Sequence, residues 1–250
     1  MVSPVNNCNG LVCIWKEERE EIVIWNLFII KYKKLPIALI QIPSRLHFIE
    51  HSHPKLAFGY DPVNDDYKVV RVVKFYKNRK ISVFDKFKVK VYSLRAHSRK
   101  RVKDEWPLKN STINIYRRPK VMSSASLNGV VHWLVTTGTA GVSHPQTTLV
   151  IVAFNLATEK FRAYKLPAQS MICSQSDHLD MLRGRIILCV CKSSLVQGKW
   201  YGRNEFWVMM EYGAESSWIR LCSIVDGEMP WKFNYCKPLL ISEDRNRRMV

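Results

Sequence analysis

The stretch Asn128-Gly129-Val130-Val131-His132-Trp133-Leu134-Val135 decides the fold class, together with its continuation in Val150-Ile151-Val152-Ala153-Phe154, a polar turn at Ala157-Thr158-Glu159, and Lys160-Phe161-Arg162-Ala163-Tyr164-Lys165-Leu166-Pro167. A polar-Gly turn leads into an apolar strand, a second strand ends in an aromatic, and after a turn another aromatic opens a strand that closes on Leu-Pro. The segments are short and rich in β-branched and aromatic residues, which pack well on a pleated surface. Val150 to Phe154 is apolar at every position, as a strand buried on both faces requires. Sustained helical periodicity is hard to find anywhere in the chain.

The same pattern recurs on either side. Asn9-Gly10 precedes Leu11-Val12-Cys13-Ile14-Trp15, then Ile22-Val23-Ile24-Trp25 and Lys31-Tyr32-Lys33-Lys34-Leu35-Pro36. Another copy opens at Gly184 with Arg185 to Cys191, continues with Glu205 to Tyr212, and turns at Gly213 to Ser217 into Trp218-Ile219-Arg220-Leu221. A less regular copy runs from Phe58 through Tyr67 to Val73, then Phe87 to Tyr92 and a turn at Arg95 to Ser98. The step between aromatics across the turn is seven residues for Trp25 to Tyr32 and for Phe154 to Phe161, and six for Tyr212 to Trp218. A near-constant step implies a hairpin of fixed loop length with both rings in one inter-blade layer. Repeated four-stranded units stacked radially make an all-β, kelch-type β-propeller, and a large β-sandwich without a true repeat is the competing architecture.

Composition narrows the function classes. The 250 residues are 47% hydrophobic, which suits a sizeable core, and no apolar run is long enough to span a bilayer as a helix. No secretory signal opens the chain, so a cytoplasmic or nuclear location without membrane association is expected. The seven cysteines are irregularly spaced, and several sit in apolar runs, where reduced buried thiols are expected rather than a disulfide framework. The net charge of +18 is concentrated: Lys68 to Lys120 holds eighteen basic residues against three acids, Asp85, Asp104 and Glu105. Such a segment bears on partners and solubility, not on fold.

Several ordered motifs resemble the plant F-box-associated domain. They are Cys8-Asn9-Gly10-Leu11-Val12-Cys13 with Trp25-Asn26 and Lys31 to Pro36; Phe58-Gly59-Tyr60-Asp61-Pro62-Val63-Asn64-Asp65-Asp66-Tyr67-Lys68-Val69-Val70-Arg71; Val91 to Leu94; Leu127 to Trp133; Val152 to Phe161; and Trp207 to Gly213 with Ser217-Trp218. The resemblance implies a propeller-like domain over 8–244, flanked by a tail at 1–7 and a basic tail at 245–250. It further implies a substrate-capture domain of an SCF-type ubiquitin ligase, with a Skp-type adaptor engaged only through an F-box in a longer form. No F-box precedes Cys8, and the family's closing repeat is missing after Ser242-Glu243-Asp244, so an incomplete propeller is expected. The turn after Trp25-Asn26 departs from the family's polar pattern and reads Leu27-Phe28-Ile29-Ile30. The aromatic expected near Arg99 is also lost.

No motif supports catalysis, and no cofactor is expected. Asp61 to Asp66 concentrates carboxylates but lacks the spacing, mid-loop Gly and terminal Glu of a calcium loop, so Asx-turn chemistry with Asp61 and Asn64 bonding nearby amides is the better reading. His47, His51 and His53 lack matched ligands and read as solvated. The tryptophans occupy repeat positions suited to blade packing. The candidate partner-binding residues are Arg99, Lys100, Arg101, Arg117, Arg118 and Lys120, near Tyr116 and Trp106. They form either a solvated, protected edge or a surface for an acidic protein. Nucleic-acid or polyanion binding through 68–120 is the alternative, disfavoured because no base-reading motif accompanies the charge.

Overall fold

The computed structural model describes residues 2–36, 55–76, 84–108, 124–137, 148–167, 178–196 and 199–225. Within them sixteen strands form four antiparallel sheets, each ordered as in the sequence. Blade 1 comprises β1 (Val2–Cys8), β2 (Leu11–Lys16), β3 (Glu21–Asn26) and β4 (Lys31–Leu35). Blade 2 comprises β5 (Lys55–Asp61), β6 (Asp66–Tyr76), β7 (Phe84–Ser93) and β8 (Ser98–Arg101). Blade 3 comprises β9 (Ser124–Leu127), β10 (Val130–Thr137), β11 (Thr148–Asn155) and β12 (Phe161–Lys165). Blade 4 comprises β13 (His178–Leu182), β14 (Arg185–Val196), β15 (Lys199–Met209) and β16 (Trp218–Val225).

The first strands of the sheets meet in series, β1 with β5, β5 with β9 and β9 with β13, and β1 also reaches β9. The sheets are therefore blades of a propeller rather than layers of a sandwich. Among the described residues no contact of similar extent joins β13 back to β1, so these four blades follow an open arc.

Strand parity explains the core. One parity of blade 3, Val131, Trp133, Val152 and Phe154, packs against Ala57, Val70, Val72, Val89 and Val91 of blade 2. The other parity, with Ala125, Leu127 and Ile151, packs against Ile186, Leu188, Val190, Trp207 and Met209 of blade 4. A strand between two neighbours has no solvent face, hence the uninterrupted apolar run at Val150 to Phe154. Cys13, Trp15 and Ile24 meet Leu56, Phe58, Val69 and Tyr92 at the first junction. Cys13 and Cys189 are buried and form no disulfide, and burial pushes the Cys13 thiol well up.

Two turn types repeat. Asn9-Gly10, Asn128-Gly129 and Arg183-Gly184 each have positive φ at both residues, the geometry of a two-residue type I′ hairpin. The four-residue turns share a different device. The side-chain oxygens of Asn26, Asp61, Ser93 and Asn155 each accept a backbone N–H two or three residues on. In each, the residue four positions on is left-handed: Ile30, Asp65, His97 and Glu159.

Three expectations change. The expected tail at 1–7 is instead strand: Val2–Cys8 pairs with β2, Val5 is buried, and the Asn6 side chain bonds both the amide and the carbonyl of Phe58. The seven-residue aromatic step is a true register feature, since Trp25 faces Tyr32 and Phe154 faces Phe161. The Phe154 and Phe161 rings lie 4.6 Å apart, but Tyr32 is 64% exposed and does not join an inter-blade layer. In blade 4, Trp218 pairs with Met209, because the longer connection lifts Tyr212 out of the strand. Arg99 pairs with Tyr92 at the same seven-residue step, the place of the lost aromatic. The domain end at 244 and the basic tail at 245–250 lie outside the described residues.

A Cβ on Gly59 would stand 2.6 Å from Ser126 Oγ and 2.9 Å from both Leu156 Cδ1 and Val131 Cγ1. Gly59→Ala therefore overpacks the junction of blades 2 and 3 and is expected to cost about 1–3 kcal/mol in urea unfolding. Ile30 is β-branched yet holds φ +54°, so Ile30→Asn is expected to raise stability by about 1 kcal/mol in the same assay.

Candidate interaction surface

The first and third hairpins of each four-stranded sheet turn at the same end, so one end of the blades carries eight turns. Contacts between turns show that these ends coincide across blades. Pro62 of the β5–β6 turn lies where a Cβ on Gly129 of the β9–β10 turn would meet it at 2.8 Å. Lys33 Nζ lies 3.0 Å from His97 Nδ1, joining the rims of blades 1 and 2. Between blades 3 and 4, Glu215 of the β15–β16 turn accepts the amide of Lys165, the last residue of β12, at 2.7 Å, a bond between blades rather than between turns.

The run Phe58 to Lys68 builds the centre of this surface. Asp61 is fully buried. Its Oδ1 accepts the amides of Val63 and Asn64, and its Oδ2 accepts Asn64 Nδ2 at 2.7 Å and Lys68 Nζ at 2.6 Å. Lys68 Nζ also donates to the Leu156 carbonyl at 2.9 Å, tying the pair to blade 3. Burial raises the Asp61 pKa, but the hydrogen bonds from Asn64 and Lys68 and the lysine charge outweigh it, leaving it below the ordinary aspartate value. Asp66 accepts Ser93 Oγ and the Arg95 amide, and Tyr60 donates to Asp65 at 2.7 Å. The expected turn chemistry holds for Asp61, whereas Asn64 gives its side-chain amide to the Asp61 carboxylate rather than to the backbone. Among the described residues no group of three His, Cys, Asp or Glu is placed to hold a metal.

Between blades 2 and 3 a cleft of about 390 Å³ opens, lined by Asn64, Asp66, Lys68, Arg95, Lys100 and Glu159 among others. Lys100 Nζ lies 3.0 Å from Glu159 Oε1 at this cleft. The candidate residues Arg99, Lys100 and Arg101 all lie on β8, the exposed outer edge of blade 2, and their side chains are engaged differently. Arg99 donates to the Pro36 carbonyl beyond β4, Lys100 turns to blade 3, and Arg101 is exposed. Arg117, Arg118, Lys120, Tyr116 and the three histidines at 47, 51 and 53 lie outside the described residues. Trp106 offers no free ring for stacking. It is buried against Phe87, Trp133 and Phe161, with centroids 5.0, 6.0 and 5.4 Å away.

His132 and Trp133 are likewise structural. Trp133 Nε1 donates to the Leu56 carbonyl at 3.2 Å. His132 Nδ1 faces the Ala125 carbonyl at 3.2 Å, so it carries the proton, and Nε2 accepts the Tyr212 hydroxyl at 2.9 Å. Burial pulls the His132 pKa down to about 4, keeping the ring neutral at pH 7. Sequence reading missed Arg95 and Glu159 at the cleft and Lys33 with His97 at the rim. Their only signal was position in a turn or beside one.

Comparison with known proteins agrees with this geometry. The family model described as the F-box associated beta propeller domain matches residues 1–250. The F-box protein At4g22390 of Arabidopsis thaliana is 28% identical, over 92% of this chain and 54% of its own length. The F-box protein CPR1 of the same plant is 26% identical, over 97% of this chain and 57% of its own length. The F-box/kelch-repeat protein At3g23880 is 25% identical, over 96% and 56% respectively. The chain spans about half the length of the curated relatives it matches.

Removing one member of the buried pair tests the centre of the surface. Lys68→Met strands the Asp61 carboxylate and is expected to cost about 3–5 kcal/mol at pH 7. The native pair contributes stability above the unfolded aspartate pKa of about 3.9 and loses it as pH falls through the lower folded value. The gap between the two proteins in denaturant titrations is therefore expected to narrow below about pH 4.

Proposed function

This chain belongs to the F-box-associated β-propeller family, and on that premise we propose that it is a protein-capture module, the substrate-recognition half of an SCF-type ubiquitin ligase receptor. The module acts by binding rather than by chemistry. One observation carries this reading: eight turns gather at one end of blades that are bonded to one another. Loops on a rigid scaffold supply recognition without moving the scaffold. The F-box and F-box/kelch-repeat names of the relatives support it. A Skp-type adaptor would be engaged through an F-box in a longer form of the protein, and the captured protein is delivered at the turn end.

The test is retention of proteins from plant extract on the immobilised chain at about 50 mM and about 200 mM salt, with and without nuclease. A protein retained at both salts, and lost from an Arg95→Glu variant at the cleft, is the expected result. Recovery of RNA or DNA alone, weakening roughly a thousandfold between those salts, would replace this reading with polyanion binding through 68–120.

A further inference from the structure

The β3–β4 turn of blade 1 breaks the pattern of its counterparts. Turns 62–65, 94–97 and 156–159 end on Asp65, His97 and Glu159 in the left-handed position, all polar residues, the first two exposed. Here the turn is Leu27-Phe28-Ile29-Ile30, with Phe28 86% and Ile30 78% exposed and Leu27 and Ile29 at least half exposed. Four adjacent exposed apolar side chains add nothing to the core, and an isoleucine in the left-handed region is strained as well. Contiguous exposed apolar surface marks a binding site.

The tip does not project. Its length matches the other four-residue turns, and the Phe28 ring lies back over the β1–β2 turn, 3.3 Å from where a Cβ on Gly10 would stand. Glycine at position 10, with φ +77°, leaves room for the ring. The result is an apolar patch seated against the neighbouring turn, which suits a protein segment better than insertion to roughly 5–10 Å below lipid headgroups. Cations flank it. Lys31, Lys33 and Lys34 come directly after the turn and are exposed, and the Lys33–His97 contact brings the basic rim of blade 2 alongside.

Building on the protein-capture reading, we infer that Leu27 to Ile30, with Lys31 and Lys33, is the docking site for a short amphipathic segment of the captured protein. That segment has two or three apolar side chains bounded by Asp or Glu. The apolar side chains cover Phe28, Ile29 and Ile30, and the carboxylates pair with the lysines.

The probes are three labelled synthetic peptides read by fluorescence anisotropy against the full chain: apolar with Asp/Glu flanks, the same with Lys flanks, and Asp/Glu flanks around serines. Only the first is expected to bind. Phe28→Ser/Ile29→Ser and Lys33→Glu should each weaken it about tenfold, and Lys33→Glu should improve the Lys-flanked peptide. Phe28 and Ile29 are exposed, so the melting curve of the Phe28→Ser/Ile29→Ser variant should be unchanged. Equal binding of all three peptides, or binding indifferent to Phe28→Ser/Ile29→Ser, overturns the inference. So does phosphatidylserine-vesicle binding lost in Phe28→Ser/Ile29→Ser without peptide binding, which would make the patch a membrane contact. A photo-crosslinker at position 28 or at exposed Val63 of blade 2 separates this inference from the reading beneath it. A partner protein crosslinked at 28 through a segment of apolar residues bounded by Asp or Glu supports the site, and one crosslinked there through any other segment overturns it. One crosslinked at 63 alone overturns it and leaves protein capture standing, and none at either position removes both.

Discussion

Asp61 takes a charged carboxylate out of water, which is unfavourable by several kcal/mol unless its lone pairs are filled. Four donors fill them: two turn amides, the Asn64 side chain and Lys68. The same lysine reaches the Leu156 carbonyl, so one ion pair fixes the β5–β6 turn and binds blade 2 to blade 3. Gly59 and Pro62 are subordinate to that junction. Gly59 lets β5 approach Ser126, Val131 and Leu156, and Pro62 packs over Gly129. The run Phe58-Gly59-Tyr60-Asp61-Pro62 thus serves both sides of its blade, since Phe58 belongs to the core shared with blade 1.

The sequence was most legible where a position has one physical demand. The two-residue turns needed positive φ and were marked by Gly10, Gly129 and Gly184. Blade 3 needed two buried faces and was marked by its apolar run. Strand β1 was illegible because Val2-Ser3-Pro4-Val5-Asn6-Asn7 has no clean alternation. Pro4 lies beside a register shift, and Asn6 is recruited to bond the neighbouring blade rather than to face solvent. Tyr212 was misplaced because spacing alone cannot show that a connection has lengthened. The cleft was invisible for a different reason: strand pairing within blade 2 sets Arg95 beside Lys68, and only blade packing adds Glu159 from a distant segment.

Charge has two roles that composition merges into one number. The outer-edge strands β4, β8 and β12 carry Lys31, Lys33, Lys34, Arg99, Lys100, Arg101, Arg162 and Lys165. Cations on an exposed edge discourage pairing with another sheet. Part of the basic excess therefore maintains the fold's solubility at its rim. Another part is directed inward: Lys68 is buried, and Arg71 meets Glu20 at 3.1 Å and lies 5.6 Å over the Trp15 ring.

Several blade-to-blade hydrogen bonds have a main-chain group on one side. Asn6 holds the backbone of residue 58, Trp133 that of 56, and Lys68 that of 156. A backbone oxygen is present whatever side chain the residue bears, so as far as these bonds go the acceptor positions are free to vary. The asparagine, the tryptophan and the lysine are not. The hydrogen-bonded part of which blade neighbours which is thereby written asymmetrically, in a few long polar side chains, while the main-chain groups they clasp set no demand of their own on sequence.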